Sequence, residues 1–218
     1  MSWWQWFCDA LFPARCIICK REGAWFCEIH GKFPDAPADE SRVENLEKIW
    51  AATAYYSPTT RKAIEFFKFR GFASLADEFG KIMIERIPTE VLKNAVVVPI
   101  PLHWTRRWWR GFNQAEKITQ ALVRQSNGVK MSLKLKRIRR TKQQAKLTKK
   151  ERQQNLKKAF CWIGESVPEH IILVDDVVAS GETLDAAAAS LREVGVKKVT
   201  GIVFARGGKS CENLYNEN

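Results

Sequence analysis

A chain of 218 residues is long enough for one substantial domain, with room for a small appended module. Hydrophobic content of 45% with 28% charged residues excludes wholesale disorder, and no apolar run approaches the roughly 20 residues of a bilayer span. The net charge of +12 is local: residues 130–158 carry thirteen Lys or Arg against one acid, Glu151, and the remainder is neutral, so the excess reads as an anion-binding segment.

The opening "MSWWQWFCDALF" lacks the basic start and small-residue cleavage site of a secretory signal, which places the expected protein in the cytoplasm. Its tryptophans suit a membrane-surface helix or packing against a neighbouring domain or partner. With no basic residue before Arg15, packing is favoured and stable membrane insertion is not expected. Cys8, Cys16, Cys19 and Cys27 crowd the first thirty residues, and in a cytoplasmic chain such clustering favours metal over disulfides. "CIIC" and "CEIH" together spell C-x2-C-x7-C-x2-H, so Cys16, Cys19, Cys27 and His30 have the inventory of a closed tetrahedral zinc site. Metal ligation there would replace a core too small to fold alone, with Cys8 available as a substitute ligand. "GKFPDAPADES" reads as a linker, which divides a cysteine-rich module (residues 1–45) from a second domain (46–218).

The second domain alternates strand and helix signals. Residues 49–56 and 95–102 read as strands, the latter ended by prolines, while 57–69 and 75–87 read as helices, the first opened by Ser57-Pro58. Helical periodicity resumes after Asn113; a strand follows at 171–174, an Ala-rich helix at 183–195 and a last strand at 198–205. This order predicts a parallel sheet covered on both faces. No internal repeat is visible.

The stretch "IILVDDVVASGETL" carries the chemistry. A buried strand has no use for Asp175 and Asp176, so the strand is expected to end at Val174 and to deliver the acids to the carboxyl edge of the sheet. "ASGET" then passes into a helix, whose first N–H groups, dipole and the hydroxyls of Ser180 and Thr183 make a phosphate cradle. Gly181 removes the side chain that would keep an anion from the backbone. A phosphate close to two carboxylates calls for a ligand with hydroxyls in between, and ribose 5-phosphate satisfies both.

That stretch resembles the 5-phosphoribosyl-1-pyrophosphate (PRPP) signature of type I phosphoribosyltransferases. "VVPIPLHWTRRWWRGFNQAEKI", "RTKQQ" with "ERQQNLKKAF", "VFAR" and "LFPARCIIC" are similar, in order, to segments of the ComF/GntX family, over nearly the whole chain. Two positions depart from that pattern: His30 stands where the family usually has a fourth cysteine, and Gln143 where proline is common. The resemblance implies an α/β type I phosphoribosyltransferase-like parallel sheet flanked by helices, with a small N-terminal zinc-ribbon-like module. It implies that Asp175 and Asp176 hold the ribose, with Mg2+ bridging its hydroxyls to the pyrophosphate, and that Ala179, Ser180, Gly181, Glu182 and Thr183 form the 5′-phosphate loop. Pro99, Ile100, Pro101 and Leu102 would form the pyrophosphate-side loop, followed by Arg110, Gly111, Asn113 and Gln114 at a helix start; plain N-capping accounts for Asn113 equally well. Arg139 and Arg140, with Lys142, Lys146 and Arg152, lie where the family has its mobile catalytic loop and would offset charge on the departing pyrophosphate, while the aspartates stabilise a cation-like sugar.

Thirteen basic residues exceed what one pyrophosphate can use, so the surplus is a solvated face or serves a second anionic partner. Arg106, Arg107 and Arg110 interleave with Trp104, Trp108 and Trp109, a pairing of phosphate contacts and stacking surfaces that suits single-stranded DNA, although at least one tryptophan is expected in the core. ComF-like proteins are associated with natural transformation, so the resemblance implies a competence role in handling imported DNA, alongside other DNA-processing proteins. The alternative is an active phosphoribosyltransferase of nucleotide or amine metabolism with no direct DNA role.

Overall fold

A computed structural model describes residues 14–37, 43–70, 73–102, 111–138 and 159–207. Strand β1 (Ile49–Ala54) leads to helices α1 (Pro58–Arg70) and α2 (Ala73–Arg86). Pro58 opens α1 where a missing N–H costs nothing, and Arg61 N donates to Ser57 O at 2.9 Å to close the first turn. A 3-10 turn (Thr89–Leu92) delivers β2 (Val96–Pro99), followed by α3 (Gln114–Gln125) and β3 (Lys130–Met131). Then come β4 (Leu135–Arg137), β5 (Phe160–Trp162), β6 (His170–Val178), α4 (Glu182–Glu193) and β7 (Lys198–Arg206).

The main sheet has the order β1-β7-β6-β2-β3, and all its neighbouring pairs are parallel. The period-two alternation of β6 sends Ile172 and Val174 to one core and Ile171 and Leu173 to the other. The first core receives Ile64 and Phe67 of α1, Phe79 and Met83 of α2, and Ile118 and Leu122 of α3. The second receives Leu184, Ala187, Ala188 and Leu191 of α4. Both faces of the sheet are therefore covered, as the alternating signals require. Helices α2 and α3 meet at Gly80, where an added Cβ would lie 3.0 Å from Cβ of Ala121.

The cysteine-rich segment shares the first core. Ile17 and Phe33 are buried in it, and Phe33 meets Phe204 of β7 edge-on at 5.7 Å. Residues 31–37 are not the loose linker that two prolines and several acids suggested. Arg86 donates to the carbonyls of Phe33, Pro34 and Ala52, and Thr53 Oγ1 donates to Pro34 O at 2.7 Å, so the segment is pinned by its own backbone acceptors. Further on, Asp185 Oδ1 accepts from the N–H groups of Glu44 and Asn45 at 2.9 and 2.8 Å, which fastens the approach to β1 onto α4.

The basic run also contains structure that charge alone concealed. Strands β4 and β5 form a two-stranded antiparallel ribbon, with Leu135 and Phe160 buried against α4's core and Lys136 exposed. Ile138 N donates to Ala159 O at 2.8 Å, which brings the two ends of the intervening segment together. Residues 139–158 and the Trp-rich start lie outside the described residues. Among the described residues no helix is long and apolar enough to cross a membrane.

Candidate ligand crevice and metal centre

From β2 the chain crosses through α3 to β3 on one side, and from β6 it crosses through α4 to β7 on the other. The carboxyl ends of β2 and β6 therefore flank the point where strand order reverses, the place where open parallel sheets form a crevice. Strand β2 stops at Pro99, paired with Val174, and Ile100 N donates to Val174 O at 2.8 Å.

Strand β6 does not stop there. Where the sequence suggested an end at Val174, pairing with β7 continues through Asp175 opposite Val203 and Val177 opposite Ala205. The reason lies in the two neighbours. Strand β7 is as long as β6, with nine residues each, and keeps supplying backbone partners; on the other side the ladder ends with Ile100 N, because Ile100 O accepts from Asn113 Nδ2 and Asp176 N turns to the Asp175 carboxylate. The aspartates thus stand in regular strand with one edge paired to β7 and, among the described residues, no strand paired along the other.

Both carboxylates are half-buried. Asp175 Oδ1 accepts from Asp176 N at 2.8 Å, and Asp176 Oδ1 accepts from Val177 N at 2.9 Å. Burial pushes the Asp175 carboxyl well above its ordinary range, and the adjacent Asp176 charge pushes it further. Nζ of Lys68, on α1, lies 3.4 Å from Asp176 Oδ2. Lys68 was not singled out from the sequence; the one signal was a lysine directly after the buried Phe67, and that names no partner.

After Val178 the exposed Ala179 and Ser180 lead to Gly181, which caps α4 in the left-handed region at φ +81°. A glycine cap offers no side-chain acceptor to the first helical turn, the place where helix N-termini receive anions. Glu182 Oε2 is buried with no hydrogen-bond partner among the described residues. On the β2 side, Asn113 performs two tasks: Oδ1 accepts from Ala115 N at 3.2 Å as the cap of α3, and Nδ2 donates to Ile100 O at 3.0 Å. The Pro99–Ile100 turn is thereby tied to the helix that follows Gly111. The structure thus gathers Pro99, Ile100, Asp175, Asp176 and the residues 179–183 at the carboxyl ends of β2 and β6. Arg106, Arg107, Trp108, Arg110, Arg139, Arg140, Lys142, Lys146 and Arg152 lie outside the described residues.

The cysteine–histidine set does converge. One donor atom from each of Cys16, Cys19, Cys27 and His30 lies within 4.8 Å of all the others. Cys19 Sγ to Cys27 Sγ is 3.8 Å, Cys27 Sγ to His30 Nδ1 is 3.2 Å and Cys16 Sγ to His30 Nδ1 is 3.6 Å. Four zinc bonds, with Zn–S about 2.3 Å, require edges of about 3.8 Å between sulfurs, so the donor set fits a tetrahedral ion. Tight turns make this possible: Lys20 N donates to Cys16 O at 2.8 Å with Lys20 at φ +67°, and Gly31 N donates to Cys27 O at 2.7 Å. Desolvation opposes a Cys16 thiolate, but the N–H groups of Cys19, Cys27 and Ile18 outweigh it and hold the thiol at about 6. The N–H of His30 likewise lowers the Cys27 thiol. The pocket thus favours the thiolate form of Cys16 and Cys27, whereas at Cys19 the N–H of Arg21 is outweighed by burial and by the neighbouring Cys16 and Cys27, which push that thiol up.

A doubly covered parallel sheet with paired acids and a glycine-capped helix at its switch point defines a phosphoribosyltransferase fold. The family profile described as phosphoribosyl transferase domain matches residues 109–216, which take in β6, α4 and β7. Among curated proteins, the chain is 32% identical over 188 residues to competence protein ComFC of Bacillus subtilis, covering 83% of this chain and 72% of that one. It therefore belongs to the ComF family. It is also 37% identical over 106 residues to competence protein F of Haemophilus influenzae, covering 47% of this chain and 46% of the relative. DNA utilization protein YhgH of Escherichia coli K12 is 30% identical over 151 residues, 67% of this chain and 66% of the relative. The chain thus spans just under half of the Haemophilus relative's length and about two thirds of the Escherichia one's.

Proposed function

We propose that this protein serves natural competence in the cytoplasm, handling imported single-stranded DNA, and that its crevice binds PRPP with Mg2+. The relatives' names, competence protein and DNA utilization protein, support the first part. The observation that carries the second is the edge of β6 at Asp175 and Asp176, unpaired among the described residues, directly before the glycine-capped start of α4. Asp175 and Asp176 accept from the ribose hydroxyls; Ala179, Ser180, Gly181, Glu182 and Thr183 hold the 5′-phosphate; Pro99, Ile100, Pro101 and Leu102, with Arg110 and Gly111, face the pyrophosphate. Bound Mg2+ would neutralise charge between hydroxyls and pyrophosphate. Arg139 and Arg140 act on the same pyrophosphate, and Arg106, Arg107, Trp108, Arg110, Lys142, Lys146 and Arg152 contact DNA. Cys16, Cys19, Cys27 and His30 hold a structural zinc in a module of residues 1–45, set on a domain of residues 46–218. Other competence or DNA-processing proteins are its partners.

Calorimetric titration tests the reading. Wild-type protein binds PRPP only with Mg2+, and Asp175→Asn with Asp176→Asn together abolish binding while the fold persists; unchanged affinity in the double variant would sink the site. Oligo-dT affinity falls with salt at about −0.7 per neutralised phosphate, and replacing Arg139, Arg140, Lys142 and Lys146 by Gln flattens that slope. No oligo-dT binding at low salt would leave only a phosphoribosyltransferase without a direct DNA role.

A further inference from the structure

Lys68 reaches the crevice from the opposite layer. Its backbone is fixed, because Ile64 and Phe67 on the same helix are fully buried, whereas its ammonium ends a flexible four-carbon stem. The contact with Asp176 is 3.4 Å, longer than the roughly 2.7–2.9 Å of a tight charge-assisted hydrogen bond. Both side chains are shielded, at 27% and 14% exposure, so the pair is more than a surface contact. The Lys68 charge also acts on Asp175, where it partly offsets the burial of that carboxyl. Among the described ion pairs it is the one cation held against either aspartate. A cation tethered this way occupies the coordinating face of an acid and can swing a few ångströms without backbone movement.

We propose that Lys68 is a further ligand-binding residue of the crevice: its ammonium neutralises Asp176 in the observed ion pair, and moves to the phosphate oxygens of the ligand when a divalent cation takes the carboxylate. The proposal rests on the phosphoribosyl reading of the site. It makes Lys68 and the metal competitors for one carboxylate and partners on one anion. Removing the ammonium therefore shifts two affinities in opposite directions, which loss of a structural contact does not do.

The test measures binding of Mn2+ alone, and of PRPP with Mg2+, to wild type, Lys68→Met and Lys68→Arg. Lys68→Met binds Mn2+ about tenfold more tightly and PRPP about tenfold more weakly, the scale of one interaction with a charged group. Lys68→Arg keeps the charge and stays near wild type for Mn2+. If both affinities are unchanged in Lys68→Met, or both fall together with the thermal midpoint, the proposal is overturned. If wild type binds Mn2+ but no PRPP, the phosphoribosyl reading fails on its own; inorganic pyrophosphate with Mn2+ then replaces PRPP, and the same opposed shifts are required of Lys68.

Discussion

Asn113→Ala probes the joint between the β2 turn and α3. The side chain, 7% exposed, makes two bonds that alanine cannot: it caps α3 at Ala115 N and donates to the carbonyl of Ile100, itself 3% exposed. Loss of an Asn cap costs about 1 kcal/mol, and an orphaned buried carbonyl about 1–2 kcal/mol more. The sum, about 2–3 kcal/mol, corresponds to a drop of about 5–10 °C in the unfolding midpoint for a chain of this size. Asn113→Ser separates the two terms, since its hydroxyl caps the helix but is too short to reach Ile100, and it recovers about half of the loss. Circular dichroism melts measure both variants, and PRPP titration of the folded proteins reports a weakened pyrophosphate side. A midpoint for Asn113→Ala within about 1 °C of wild type, or full recovery by serine, would refute the reasoning.

Elemental analysis finds one zinc ion per chain, and Cys16→Ser loses it together with the order of the cysteine-rich segment, because ligation in small zinc peptides is worth about 10–16 kcal/mol apparent. Metal-free protein from chelator-free purification would contradict this. Asp175→Asn raises the thermal midpoint at neutral pH while removing PRPP binding. The folded Asp175 carboxyl lies above its ordinary value of 3.8, so its stabilising protonated form is lost as pH rises through the folded value. The variant's advantage therefore vanishes below the ordinary value, where both states are protonated, and an advantage independent of pH would show that charge burial is not its cause.

Much of the crevice was legible because its signals are local. The acid pair, "ASGET" and Asn113 are short stretches whose chemistry follows from the helix starts beside them. The C-x2-C-x7-C-x2-H spacing likewise foretold a convergence that tight turns bring about. Alternating strand and helix patterns determined a parallel sheet with two covered faces, since periodicity of 2.0 or 3.6 is a property of each segment alone. The short β4–β5 ribbon escaped notice because its anchors, Leu135 and Phe160, sit at the two ends of a lysine- and arginine-rich run.

Tertiary structure decided the rest through pairings between segments distant in the chain. The order β1-β7-β6-β2-β3 places Asp175 beside Val203 on one edge and past the end of β2 on the other, and no single segment contains that information. Strand length depends in the same way on neighbours: β6 runs to Val178 because β7 continues and β2 does not. The sequence around Phe33 and Pro34 suggests a linker because the acceptors that hold it down meet Arg86 and Thr53 only in the folded chain. The partnership of Lys68 with Asp176 is of this kind as well. Sequence sets what each side chain can offer, and the packing of α1 on the sheet sets which carboxylate receives it.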